Sequence, residues 1–389
     1  MIASRRRLLT GLAAVPVAGA LPRLSHAQTP DQTPTPTPQP RPAADAALDE
    51  VFASAAPPAV AAGILGADGV IWSGVRGVRR QGEPDLATLD DRWHLGSNTK
   101  AMTAAVLARL IEQGRARWAM PLSEAFPGLT IDSGWDGLTL DDFLHHRAGL
   151  LDGPVINRDW LVASRADARP LPEQRRALVE RVLAAPPAGP RGAFAYGNAN
   201  YILVGAAIER ITGQPWEEVM RAELYTPLNL ATAGFGPPPG RDAPWAHRLI
   251  GEARTAIPPE HPGADNPLAL GPAGTAHMSL PDYGRFISAV MGGAPGWLSA
   301  DSLTRLITPP AGSPPPYACG WGVREQPWGG VGGPGPVIGH DGSNTMWHCT
   351  VAAAPQRKRA IIVLTNDGPS GRAACQALSA KLVPIAFAA

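Results

Sequence analysis

The chain has 389 residues, 44% hydrophobic and 17% charged, which is apolar material for one large domain or two small ones and too little charge for a disordered chain. Its 34 Lys and Arg stand against 33 Asp and Glu. The first 27 residues hold four of the arginines and no acid, so the rest is mildly acidic, 30 against 33, a balance that speaks against nucleic acid or an anionic membrane as partner.

Residues 4–10 (SRRRLLT) read as a twin-arginine n-region. An apolar stretch over 8–21 follows, broken by Gly11, Pro16 and Gly19, and then the small-x-small site Ser25-His26-Ala27. Residues 1–27 are therefore expected to be a twin-arginine-type signal peptide that sends a folded protein to the periplasm or the medium, with no stable membrane insertion after cleavage. The apolar run is too short to serve comfortably as an anchor. Residues 28–44 are a Pro/Thr-rich linker, extended and solvated, and 45–389 are expected to form the folded domain.

Within that domain, 45–54 pattern as a short amphipathic helix, and 63–78 as two short strands about a turn at Asp68-Gly69. After Leu95-Gly96 the period changes: Met102, Val106, Leu107, Leu110 and Ile111 recur at helical spacing and Gly114 closes the segment. Helical, loop-rich sequence then runs to about residue 307. Strand patterns return at 318–325, 337–339, 346–352 and 359–364, and a helix over 373–383 ends the chain. Strands at both ends and helices between predict an α+β fold: one antiparallel sheet built from both chain ends, flanked by terminal helices, with a large helical insertion. Cys319, Cys349 and Cys375 are an odd number, so at least one stays unpaired within a monomer, and a buried apolar role is expected for each.

Lysine usage points to the chemistry. Only three of the 34 basic residues are Lys, and Lys100 is the only one before Lys358. Arg keeps its proton at ordinary pH, whereas a desolvated Lys gives its proton up. Ser97 lies three residues before Lys100, at the start of the helix inferred above, so the amine can reach the hydroxyl. The helix start also offers free N–H groups for an oxyanion. Nucleophile, base and part of an oxyanion hole thus fall within one turn. The competing reading makes Ser97 a helix cap alone.

Six segments together resemble the serine β-lactamase-like hydrolases, which include class C β-lactamases, D-Ala-D-Ala carboxypeptidases and related esterases. They are LGSNTKAMTAAVLARLIEQG with Ser97 and Lys100, LTLDDFLHHRAGL, FAYGNANYILVGAAIERITG with Tyr196 and Asn198, LGPAGTAHMSLPDYGRF, YACGWGV, and GHDGSNTMWHC with His340 and Gly342. The resemblance covers about 45–389 and implies a serine hydrolase acting through an acyl-enzyme on Ser97. By it, Lys100 and Tyr196 move the proton, Asn198 orients the substrate, and the N–H groups of Ser97 and Ser343 hold the oxyanion. A phenol is useful there only if a nearby cation lowers its pKa, and Lys100 is expected to be that cation. Asn198 could instead cap its helix. Gly342 is expected to let substrate approach the strand backbone.

The sequence departs at the third motif, where β-lactamases of this type carry Lys-Thr-Gly and this chain has His340-Asp341-Gly342. A group titrating near neutral pH is expected to replace a permanent cation there, either as a clamp on a substrate carboxylate or as a neutral hydrogen-bond donor. Asp341, next in the strand, should face away from it. The expected substrate is therefore a small-molecule or peptide amide or ester, carboxypeptidase-like or esterase-like, with β-lactamase activity as the alternative. A catalytically silent binding module on the same fold is the alternative of another class. No cofactor, no metal and a monomer are expected, and His145, His146 and His348 are given structural roles.

Overall fold

The computed structural model describes residues 42–67 and 69–388; the signal segment, most of the linker and Asp68 of the first turn lie outside them. The expected α+β architecture is what forms. A six-stranded antiparallel sheet runs in the order β2-β1-β11-β10-β9-β8. Its strands are β1 (Ala59–Gly66), β2 (Gly69–Gly77), β8 (Gly322–Gly330), β9 (Gly333–Ser343), β10 (His348–Ala354) and β11 (Arg359–Thr365). The two ends of the chain meet at its centre, where Val60 faces Thr365 and Ile64 faces Ile361. Both strands there are almost continuously apolar because both sheet faces are covered.

On one face lie the helices Pro42–Ala55 and Gly371–Ala386, packing Leu48, Val51, Leu378 and Leu382 onto Ile361 and Val363. The first of them begins three residues ahead of the expected Asp45, and Asp45 accepts a 3.1 Å hydrogen bond from Trp72 Nε1 of β2. The other face carries the helical body. Its central helix, Thr99–Glu112, is buried nearly all round, as the apolar residues spread over all its faces between 101 and 111 require.

The stretch expected to be helical contains four short strands as well, β4 (Gly234–Phe235), β5 (Ala246–Ile250), β6 (Ala253–Ile257) and β7 (Ala276–Ser279), and a fifth, β3 (Arg92–His94), lies just ahead of it. β3, β7 and β4 form one small sheet and β5 with β6 a hairpin. Segments of two to five residues are too short to display an alternation against their surroundings.

The late strands shift for identifiable reasons. β8 starts after Gly320, not at 318, because Gly320 turns at φ +84° with its α-carbon face against the Ala101 backbone. β9 extends back through Gly333-Pro334-Gly335-Pro336, a composition that masks a strand. β10 starts at His348 because the Asn344 side chain holds the N–H groups of Met346 and Trp347 in the preceding turn.

Candidate active site

Ser97 sits in a single 3₁₀ turn, Gly96–Asn98, leading into the Thr99–Glu112 helix. Two glycines press that turn onto β9. Gly96 has φ +51°, and a Cβ on it would lie 2.3 Å from the Ser343 nitrogen; a Cβ on Gly342 would lie 1.9 Å from the Leu95 oxygen. Neither space admits a methyl group. The Ser343 amide is thereby held against the turn that carries Ser97. At Gly342 the missing side chain's place is filled by the Leu95 carbonyl and the Asn98 amide, so the turn that carries Ser97 already requires this glycine.

The N-cap position of the following helix falls on Asn98, not Ser97, and the Ser97 hydroxyl meets Lys100 Nζ at 3.1 Å. Lys100 is fully buried, and its Nζ also meets Asn198 Oδ1 and the Ala273 carbonyl oxygen, each at 2.8 Å. Burial pushes its pKa down to about 7 against an opposing pull from Asp152. These three oxygens match the three N–H groups of an ammonium; with one proton lost, the amine still donates to two of them and offers its lone pair to the serine hydroxyl. Asp152 carries no signal in the local sequence pattern. It takes the N–H groups of Asn198 and Ala199 at 2.7 and 2.8 Å, so it performs the capping considered for Asn198, whose side chain is spent on Lys100.

The Tyr196 ring lies 4.8 Å from Lys100 Nζ. The residue is 43% exposed because one side of it lines the cleft. Its hydroxyl faces Ser97, and desolvation there raises the phenol pKa well above its usual value, with the Ser97 hydrogen bond opposing. The expected lowering by a Lys100 cation does not occur, because burial raises the phenol and neutralises the amine alike.

His340 corrects the sequence reading most. Its Nδ1 lies 2.7 Å from the Asp341 carbonyl oxygen and its Nε2 3.0 Å from the Tyr317 hydroxyl. A carbonyl only accepts, so Nδ1 carries the proton and Nε2 accepts from Tyr317. The ring is half-buried between Tyr196 and Tyr317, both at 5.9 Å between centroids. Desolvation, with the nearby Lys100 second, pushes its pKa down to about 4. It does not titrate near neutral pH as expected. Asp341 faces the other way as alternation requires, accepting from Thr350 at 2.6 Å with His348 Nε2 at 3.8 Å. His145 and His146 also diverge: His145 turns to the Asp141 carbonyl at 2.7 Å, while His146 packs on Tyr196 and Tyr317 at 4.6 and 4.9 Å. The three cysteines are buried and unpaired.

A cleft of about 360 Å³ opens beside Tyr196, Tyr317 and His340 and continues along β8 past Arg324, Gln326 and Trp328. A hollow of about 400 Å³ near Phe126, Leu129 and Pro172 is lined by none of Ser97, Lys100, Tyr196, Asn198 and His340, so the cleft is the candidate site. Tyr317 is the other residue that sequence reasoning missed, quoted within a strand motif but given no role.

The sheet built from both chain ends carries a half-buried Ser97 against the buried Lys100, with the Tyr196 ring over the lysine. The Beta-lactamase family model matches residues 44–383, and the chain belongs to that family of hydrolases. Among curated relatives, Penicillin-binding protein 4 of Amycolatopsis lactamdurans is 26% identical over 77% of this chain and 79% of its own. The Unguisins hydrolase ungD' of Aspergillus campestris is 25% identical over 76% of this chain and 56% of its own, so the chain spans about half the length of that fungal relative. A solved D-stereospecific amidohydrolase from Streptomyces superposes with TM-score 0.67 at 22% identity, covering 90% of this chain and 99% of that one. A penicillin-binding protein homologue from Pyrococcus abyssi superposes with TM-score 0.69 at 21% identity, covering 88% and 76%. Both show the fold. No helix among the described residues is long and apolar enough to cross a membrane.

Proposed function

We propose that the protein is an exported serine hydrolase that forms an acyl-enzyme on Ser97 with amide or ester substrates. The observation that carries this reading is the buried Lys100 amine, 3.1 Å from Ser97 Oγ with its pKa near 7. As Oγ attacks the carbonyl carbon, its proton passes to the Lys100 amine and the carbonyl π electrons move onto oxygen, held by the N–H groups of Ser97 and Ser343. On collapse the Tyr196 phenol gives its proton to the departing nitrogen or oxygen and regains one from the Lys100 ammonium. Water, deprotonated by the same pair, attacks the acyl carbon and restores Ser97. A phenol with a raised pKa fits the role of a proton carrier that is never a standing phenolate.

The substrate class follows from His340. A neutral imidazole whose Nε2 is occupied offers no cation to a carboxylate beside the reacting bond, which favours esterase- or amidase-like over D-alanyl carboxypeptidase-like or β-lactam substrates. Arg324 lines the same cleft, but its register partner Val337 is three residues before His340, ~10 Å along the strand. It suits only a carboxylate set well back. Export rests on the twin arginines and the Ser25-His26-Ala27 site, and implies periplasmic or secreted protein beginning at Gln28.

A fluorophosphonate probe followed by mass spectrometry should place the adduct on Ser97 and lose it in Ser97→Ala. Labelling elsewhere, or surviving that substitution, overturns the assignment. In parallel assays p-nitrophenyl butyrate should turn over faster than a D-Ala-D-Ala peptide or nitrocefin. Absence of any Ser97-dependent turnover would favour a silent binding role.

A further inference from the structure

The two amides proposed for the oxyanion come from opposite ends of the chain, one in the Gly96–Asn98 turn and one at the end of β9. A run of buried side chains joins these segments from behind. His94, the last residue of β3, accepts the Gly96 N–H on Nδ1 at 3.1 Å. Its proton is therefore on Nε2, which meets Asp265 Oδ2 at 2.8 Å. The other carboxylate oxygen, Oδ1, accepts from Asn344 Nδ2 at 2.8 Å and from the Asn266 N–H at 2.7 Å. Asn344 directly follows Ser343, and its own oxygen holds the Met346 and Trp347 amides. Arg165 in turn donates to the Asp265 carbonyl at 3.0 Å.

The His94 and Asp265 side chains are 0% and 4% exposed. A buried carboxylate and imidazole are a costly way to join two loops that apolar contacts could join as well. What they add over apolar contacts is direction, since each bond fixes the distance and angle of a particular backbone group.

We propose that His94, Asp265 and Asn344 form a brace that sets the separation of the Ser97 and Ser343 amides, making them positioning residues for the oxyanion. The catalytic consequence rests on the Ser97 reading above; the mechanical coupling does not. Asp265→Asn tests it directly. A carboxamide has one acceptor and one donor face, so it cannot accept from both His94 Nε2 and Asn344 Nδ2, and one tie must open.

For Asp265→Asn, kcat on p-nitrophenyl butyrate should fall about 10- to 100-fold while KM stays within about threefold, since the amides act on charge that develops after binding. Affinity for a phenylboronic acid, whose serine adduct is tetrahedral, should fall by the same factor as kcat/KM. In hydrogen exchange, peptides spanning 94–98 and 342–346 should speed up together. Asn344→Ala, which cuts only the far tie, should give the same split if Asp265→Asn folds poorly. The brace is wrong if kcat is unchanged, if its loss only tracks a smaller folded fraction, or if faster exchange is confined to 258–268. Absence of Ser97-dependent turnover in the wild type would instead defeat the hydrolase reading, and joint or separate acceleration of the two peptides would then decide the brace.

Discussion

If Lys100 is the base, its ionisation should set the acid limb of the reaction. Burial lowers its pKa from 10.5 to about 7, and only the neutral amine accepts the Ser97 proton. With a neutral ester, kcat/KM should therefore be flat above ~pH 7 and fall tenfold per unit below it, to about one-tenth at ~pH 6 and about one-hundredth at ~pH 5. His340, with its pKa near 4, contributes nothing in that window. The same shift predicts a stability effect with a definite sign. Between the folded value near 7 and the unfolded 10.5, the unfolded chain binds the extra proton, so stability rises with pH. Relative to Lys100→Met, the wild type should gain about 2–3 kcal/mol between ~pH 7 and ~pH 9, measured by urea unfolding, and the difference should be flat below ~pH 6. An acid limb centred below ~pH 5, or a pH-independent stability difference from Lys100→Met, refutes the assignment. Lys100→Arg keeps a charge and loses the base, so turnover should drop by at least about a hundredfold.

Three further outcomes follow from particular contacts. Tyr317→Phe removes the donor on His340 Nε2; in surroundings that include Lys100, Tyr196 and Asp341, the ring should protonate more readily, so kcat/KM for carboxylate-bearing esters relative to neutral ones should rise as pH falls below ~6, and an unchanged ratio would sink the tautomer argument. Gly342→Ala puts a Cβ 1.9 Å from the Leu95 oxygen, and the displaced turn should cost about a hundredfold in kcat; near-wild-type turnover would show that the turn is not pinned. Arg175, fully buried between Glu209 and Glu217 and bonded to the Ala269 carbonyl at 3.1 Å, stabilises the loop that leads to Ala273; Arg175→Met should lose about 3–5 kcal/mol in urea unfolding, and a loss under about 1 kcal/mol would mean the acids simply protonate.

How much of this was legible in the sequence depends on the distance over which each cause acts. Ser97 and Lys100 are three residues apart at a helix start, and helical geometry alone brings them together. The sheet from both ends was legible because long apolar strands and a terminal helix bracket the chain. β3, β4 and β7 were hidden because each borrows its pairing from a distant segment, as His94 does from His277, and the hairpin strands β5 and β6 because five residues each are too few to show an alternation. Asp152 caps a helix that begins 46 residues later, and no local spacing announces it. Glycine in a sequence says that a side chain is not tolerated but not what excludes it, and for Gly342 the excluding group is the turn that carries Ser97.

The electrostatics were the least legible part, and for one reason. Sequence reasoning treated Lys100, Tyr196 and His340 as pairs of charges, with one cation lowering a phenol and another gripping a carboxylate. In the folded protein all three are set first by desolvation, which disfavours every charged form at once. The amine loses its proton near neutrality, the phenol keeps its own, and the imidazole stays neutral. A centre held in this uncharged state can transfer a proton from Ser97 without first separating a standing ion pair. Restoring a permanent cation at His340, as in the Lys of the usual third motif, would place charge beside Lys100 and lower its pKa further. The carboxylate clamp and the poise of the base are thus linked through one low-dielectric pocket, and the neutral third motif is compatible with a base whose pKa stays near 7.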